Sequence, residues 1–529
     1  MLQAGASFLS PEPQVVLIDA FRRPFDTAVA AARTCYSARG IIRPEEVAGD
    51  DAPDDEARER ARARRDALAA SIFRAGHHTV FQHAHLQFAL SNVSRHFVWS
   101  FLHAHPFYNS EQVSQRYVAV KPGNYAIPPL AGEALAVYEA TIAAQFAAYE
   151  ELGRMLLPAT EAAYFRRFPG RRHQAPRWQG EIEKRALEVA RYILPIATFT
   201  ALYHTISALT LLRYHRVSQL FDVPLEQRIV VGKMVDCLLA AAPESAPLLG
   251  EPVAPEETAE YSILAEPGGD PRAFRDEFDT SLEGHRSRLV DWKAGNEAIL
   301  AQSVREVLGL PRTRLSDEEA IRMALDSGRN PMLAQTLNLT MHGKLTRCLV
   351  HPSYTFRKRL SHTADSQDQR HRLTPASRPV LQAHVDGQPD VIVPDLIASD
   401  PACARRYADA VERSWEGVAR LRSLGVAPEF ALYLLPNGVA VRFTESADLL
   451  GLRHKLAMRL CYNAQEEIWR VALDEARQIR EVNPVIGSYL FPPCRLREMA
   501  GITPPCPEGK RFCGARVWKL DLDAYQRDI

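Results

Sequence analysis

Residues Phe101–Val118 read FLHAHPFYNSEQVSQRYV, the densest run of polar chemistry in the chain. The run follows an apolar stretch of helical character and is interrupted by Pro106. Near its end Ser114, Gln115 and Arg116 place a hydroxyl, an amide and a guanidinium side by side. Such a trio suits a phosphate or a planar nucleobase, because arginine binds oxyanions bidentately and amides read carbonyl edges. A polar loop that caps a helix has the same composition. The residues alone leave both readings open.

Outward from this segment, Gln14–Ile18 reads as a short strand, and the PFDTAVAAARTCYSARG run after it as a helix from Asp26 that ends before Gly40. Residues 46–64 are charge-rich and predict a solvated helix or loop, while 131–165 and 181–220 carry apolar residues at helical spacing. Residues 250–285 are rich in Pro and Glu and weakly periodic, as a domain boundary is. Beyond it the pattern recurs: 288–309 predicts strand, turn and helix again. GRNPMLAQ at 328 lies where GHHTVFQH lies at 76, and Leu345-Thr346-Arg347 matches Val93-Ser94-Arg95. A second ungapped block pairs Leu194-Pro195 with Leu435-Pro436 and Glu226 with Glu467. The order points to an internal duplication of roughly 250 residues per copy. The expected domains are 1–255 and 286–529, joined by a linker at 256–285.

Composition excludes several classes. With 529 residues the chain has room for about two to four domains. Lysine plus arginine and aspartate plus glutamate are 64 each, so nothing in the charge balance favours nucleic acid or a membrane surface. No apolar run approaches a membrane span. The amino-terminal MLQAGASFLSPEPQVV lacks the basic start and apolar core of a signal peptide. Eight scattered cysteines do not make a disulfide framework. A cytoplasmic protein is expected.

The succession GHHTVFQHA, NVSRHF and NSEQVSQRYV resembles the flavin-dependent thymidylate synthase family, whose signature is Arg-His-Arg, seven residues, Ser, and then Gln-Arg-Tyr. AARTCYSARG, EVARYILPIATFTALY and the late RHKLAMRLCYNAQEEIWR extend the likeness over most of both halves. The resemblance implies an α+β chain of two tandem copies of that family's domain, each a twisted sheet flanked by long helices. It implies an enzyme with FAD as cofactor and NADPH as reductant. The reaction would move a one-carbon unit from methylenetetrahydrofolate to carbon 5 of dUMP, giving dTMP without a cysteine nucleophile. Another pyrimidine nucleotide, or a non-catalytic flavin- or nucleotide-binding relative, is the alternative.

The resemblance carries over residue by residue. Ser114 and Arg116, with Arg459, would be catalytic. Arg191 and Arg459 match nucleotide-binding arginines, and Glu111 or Gln112 stands where the family has an acidic residue near the nucleotide. His83 matches the folate-side histidine. At the flavin-phosphate motif the first half has His103-Ala104-His105, or Ala104-His105-Pro106 by ungapped counting from Ser114, in place of Arg-His-Arg. The second half has Arg357-Lys358-Arg359 at the corresponding distance from Asp368, which replaces the serine while Arg370 is kept. Arg191 faces Leu432 in the other copy, Arg459 faces Ser218, and His83 faces Gln335. The losses complement one another, so the halves are expected to form a pseudo-dimer with one intact and one decayed composite site. The family's tetramers imply a homodimer of such chains.

Two other groups point less far. Cys494, Cys506 and Cys513, with Cys461 or a histidine, could hold zinc, but no Cys-x-x-Cys pair is present, so structural cysteines and no metal are expected. His96, His103 and His105 are expected to hydrogen-bond rather than ligate a metal. The arginine-rich run at 58–65 is balanced by nearby acids and predicts a solvated face.

Overall fold

The computed structural model describes residues 6–116, 120–265 and 270–527. Tyr117 and Val118 of the polar segment, residues 266–269 of the expected linker, and the first five residues lie outside the described residues. The chain forms two compact units, each drawn from separate stretches of sequence.

The first unit comprises Met1–Ile142, Pro195–Gly269 and Glu416–Leu435. Its elements include β1 (Gln14–Ala20), α1 (Pro24–Thr34), β2 (His85–Ser94), α2 (Arg95–His103), β3 (Asn109–Gln112), β4 (Phe199–Ser207), α3 (Ala208–Arg216) and α4 (Pro224–Ala241). The strands make an antiparallel sheet in the order β1-β2-β4-β3. Helix α2 is buried from Arg95 to Leu102. Ser94 caps it by accepting the Phe97 N–H at 2.9 Å, which satisfies a donor that the helix start would otherwise leave orphaned.

The second unit comprises Ala143–Leu194, Asp270–Trp415 and Pro436–Ile529. It contains β5 (Ser287–Trp292), α5 (Asn296–Leu308), β6 (Ser353–Ser361), α6 (His362–Asp368), β7 (Ala376–Ser377), β8 (Ala440–Asp448), α7 (Leu449–Arg459) and α8 (Glu466–Val482). Its antiparallel sheet runs β5-β6-β8-β7, the same topology as the first. Ser361 caps α6 as Ser94 caps α2, accepting the Ala364 N–H at 3.0 Å.

One buried brace occurs in each unit. In the first, the Ser94 N–H and hydroxyl each donate to the Glu226 carboxylate at 2.7 Å, and the Tyr433 hydroxyl donates to it as well. In the second, the Ser361 N–H and hydroxyl donate to Glu467 at 2.8 and 2.6 Å, and the Tyr192 hydroxyl donates at 2.5 Å. Tyr192 belongs to the first half of the sequence and Tyr433 to the second, so each brace is completed by a residue from the other half.

Several sequence expectations change. The run at 181–220 is not one helix: a helix at Ala175–Ala190 ends before Pro195, and β4 follows. Phe199–Ser207 (FTALYHTIS) is rich in β-branched and aromatic residues and pairs with β2 on one side and β3 on the other. Helix α1 runs Pro24–Thr34 and ends before Gly40, as expected. The second repeat block holds, since β4 and β8, and Glu226 and Glu467, occupy equivalent places. The first block slips: Thr346 opens a short 3-10 turn, and the true counterpart of Ser94 is Ser361. Among the described residues no helix is long and apolar enough to cross a membrane.

Candidate functional site

In the first unit the polar segment leaves the buried helix α2 and returns along the sheet edge. Glu111 and Gln112 lie on β3, opposite Tyr203 and Leu202 of β4, with Glu111 exposed and Gln112 half-buried. Past the strand, the Arg95 guanidinium donates to the Val113 carbonyl at 2.6 Å and anchors the turn. Ser114 and Arg116 are half-buried there, and the Ser114 hydroxyl accepts the Arg116 N–H at 3.2 Å. Arg95 thus ties the backbone of this segment to the start of helix α2.

His105 supplies no cation to this segment. His105 Nδ1 accepts the Phe107 N–H at 2.9 Å, which leaves Nε2 to donate to the Tyr214 hydroxyl at 2.7 Å. Burial, with Arg213 nearby, lowers the His105 pKa to about 4. The buried His204, 3.2 Å from the same hydroxyl, is pushed down to about 3. His103 packs edge-on against Trp99 at 4.6 Å between centroids. His83 is exposed at the end of a short 3-10 turn, His78–His83.

The second unit gathers the arginines. Arg191 ends the helix Ala175–Ala190 and is buried, and its carbonyl accepts from the Asn437 amide at 3.1 Å. The neighbouring Tyr192 hydroxyl accepts from Gln465 Nε2 at 2.6 Å while donating to Glu467. The Gln465 side chain in turn hydrogen-bonds Gln367. The Gln367 carbonyl accepts from Arg459 Nη2 at 2.7 Å. A continuous hydrogen-bonded chain therefore connects the Arg191 turn with Arg459, residues far apart in sequence. Tyr192 and Gln465 also line a pocket of about 590 Å³ that carries Arg185, Arg286, Arg470 and Arg527.

Arg357 and Arg359 are the pair expected to hold the flavin phosphates. Both lie mid-strand on β6: the Arg357 guanidinium stacks over Phe278 at 4.3 Å, and Arg359 pairs with Asp390 at 2.9 Å. Lys358, between them, points to the other face and is fully buried. After α6 the chain carries Arg370-His371-Arg372. The sheet register, in which Ser110 and Ala376 pair with the equivalent residues His204 and Glu445, sets this triple against Ala104-His105-Pro106. It is a literal Arg-His-Arg, which counting back from Asp368 passes over. His371 is half-buried and is held well below the usual histidine range by desolvation and then by Arg459 and Lys455. Continuing the β7 register puts Val380, not Asp368, opposite Ser114.

Asp368 is instead part of a buried ionic core. It pairs with Lys455 at 2.7 Å and Lys358 at 3.4 Å, and Lys358 also meets Glu445 and Glu475, each at 2.7 Å. The two lysines hold Asp368 well below the usual carboxylate range despite its burial. A carboxylate so neutralised is committed to the interior and cannot orient a ligand as a serine hydroxyl would.

A family model described as "Thymidylate synthase complementing protein" matches residues 16–244 and again 288–485. A protein of Geobacter sulfurreducens named flavin-dependent thymidylate synthase is 30% identical over 171 residues, covering 31% of this chain and 70% of its own. One of Sulfurisphaera tokodaii with the same name is 29% identical over 156 residues, 28% of this chain and 59% of its own. A Clostridium tetani protein, also so named, is 25% identical over 233 residues, 44% of this chain and 84% of its own.

Proposed function

Because the chain belongs to the thymidylate synthase complementing protein family, we propose that it is a flavin-dependent enzyme that methylates carbon 5 of a uracil nucleotide, dUMP. Methylenetetrahydrofolate is the carbon donor and NADPH the reductant in this reading. The fold is two tandem copies of the family domain, with copies at 1–255 and 286–529 joined by 256–285. The chain works in the cytoplasm as a homodimer.

The observation that carries the proposal is the joining of Arg191 and Arg459 through Tyr192, Gln465 and Gln367 within one unit. Two guanidiniums in such a neighbourhood suit a nucleotide phosphate, since charge-assisted bonds to oxyanions are the stronger class. Ser114 and Arg116, on their braced turn, position the pyrimidine and polarise its oxygens, with Glu111 or Gln112 beside them. His83 serves the folate side.

The residues present fit a flavin phosphate in the second half and not in the first. Arg370 and Arg372 supply guanidiniums there, whereas His103 and His105 stand in a segment whose imidazole is kept neutral. Flavin, when bound, supplies the hydride that completes the methyl group. No thiol is needed, and each cysteine thiol with a shifted pKa is shifted upward by burial, away from nucleophilic thiolate.

The test is formation of dTMP from dUMP by the purified chain with FAD, NADPH and methylenetetrahydrofolate, run beside UMP. Turnover of dUMP that is lost in Arg459→Ala supports the proposal. Turnover of UMP alone moves it to another pyrimidine nucleotide. Nucleotide and flavin binding without turnover would leave a non-catalytic relative, the reading favoured by the loss of cations at His103–His105.

A further inference from the structure

The carboxy-terminal tail beyond residue 485 lies outside both regions matched by the family model. It folds against the second unit and encloses a pocket of about 390 Å³. Cys461, Cys494, Cys506 and Cys513 all line it, together with Phe512 and Trp518. These are half of the chain's eight cysteines, gathered from 53 positions of sequence between Cys461 and Cys513.

The turns that carry these sulfurs are fixed by the backbone. The Cys513 thiol donates to the Ala515 carbonyl at 3.7 Å. Cys494 and Cys506 each follow two prolines, and glycines follow the last two cysteines: Gly509 at φ +53° and Gly514 at φ +88°. A side chain at Gly514 would also collide with the Phe168 ring, so this turn is fixed twice over. Apolar packing alone gives no reason for four thiols to share one small pocket.

We propose that Cys461, Cys494, Cys506 and Cys513 form a structural site for one soft divalent cation, zinc, which fastens the tail to the second unit. Four thiolates and no open position is the donor set of a closed tetrahedral zinc site. Binding releases the four thiol protons to solvent and forms four S–Zn bonds, with no change of oxidation state. Among the described residues no three such side chains already converge to hold an ion, and the four sulfurs line one pocket wall. The spacing hid this, because no Cys-x-x-Cys pair occurs and the ligands come from three separate turns.

The experiment is elemental analysis of the full chain, purified without a metal-chelating tag, with thiol titration alongside. About one zinc per chain is expected, released by a mercurial reagent as about four thiols react. A Cys506→Ser/Cys513→Ser double variant should lose the ion, while Cys35→Ser, at an exposed site elsewhere, should keep it. Cobalt substitution of the wild type gives an independent readout, with thiolate charge-transfer and tetrahedral d–d bands expected. A wild-type chain that stays metal-free after refolding with zinc under reducing conditions would overturn the assignment. So would zinc retained by the double variant, disulfides among the four cysteines, or iron with inorganic sulfide. None of these outcomes depends on methylation activity.

Discussion

At the scale of single residues the chain spends its buried charge in two ways. The Arg191 carbonyl accepts from the Asn437 amide, and the Arg459 guanidinium donates to the Gln367 carbonyl. Lys358, by contrast, is consumed by Asp368, Glu445 and Glu475. Replacing Arg459 by alanine should therefore raise the nucleotide Kd by roughly 10- to 100-fold, the effect of losing a charge-assisted contact of about 1.5–3 kcal/mol. Calorimetric titration with dUMP reads it. Lys358→Met should leave binding chemistry untouched but destabilise the fold by about 3–5 kcal/mol, because it strands buried carboxylates. Denaturant unfolding measures that difference.

The correspondence of the strand and brace residues, Glu226 with Glu467, was legible from residue order. Asp368 was not, since an aspartate at a serine-like spacing looks like a site residue until its two lysines are seen. Burial and pairing are tertiary facts, and a single sequence does not carry them.

At the scale of elements, the Ser–Glu–Tyr brace ties a strand end, a helix start and a distant turn in each unit. Burial pushes the Glu226 carboxyl up to about 7, against the opposing effect of the bonds from Tyr433 and Ser94. A raised folded-state pKa means the folded chain binds this proton more tightly than the unfolded one. The stabilisation is complete below the unfolded carboxyl value of 4.5 and is lost as pH rises through about 7. Glu226→Gln should remove that loss, so the variant gains on the wild type between these limits, by up to about 3 kcal/mol. The buried His96, His204 and His105 act oppositely, losing stability as pH falls below 6.5, which is why the difference between variant and wild type is the quantity to follow.

Element prediction succeeded where chemistry is local, as at β1, β5 and α5. It failed at Phe199–Ser207, where alanine and leucine at helical spacing disguised a strand whose identity comes from β2 and β3 on either side. The slipped repeat has a similar origin. Ser94 and Ser361 are matched by the caps they make and the glutamates they meet, not by ungapped counting.

At the scale of the whole molecule, the two units are interleaved rather than sequential. Ala143–Leu194 joins the second unit and Glu416–Leu435 the first, which brings Arg191 into the unit that holds Arg459 and Arg370–Arg372. Duplication was legible in the sequence, but exchange of segments between copies leaves no local mark. It follows that the copies should not separate cleanly. A chain cut at 255 should fail to fold as a soluble monomer with native circular dichroism, because Tyr433 is then missing from the Glu226 brace.

The most direct test of flavin-dependent nucleotide chemistry is the visible absorption spectrum of the purified chain, reconstituted with FAD, before and after dUMP is added. A bound flavin band that shifts with dUMP, and that weakens in an Arg370→Ala/Arg372→Ala variant but not in Arg357→Ala, is the predicted result. Absence of flavin after reconstitution, or a flavin indifferent to dUMP and to Arg370 and Arg372, would contradict it.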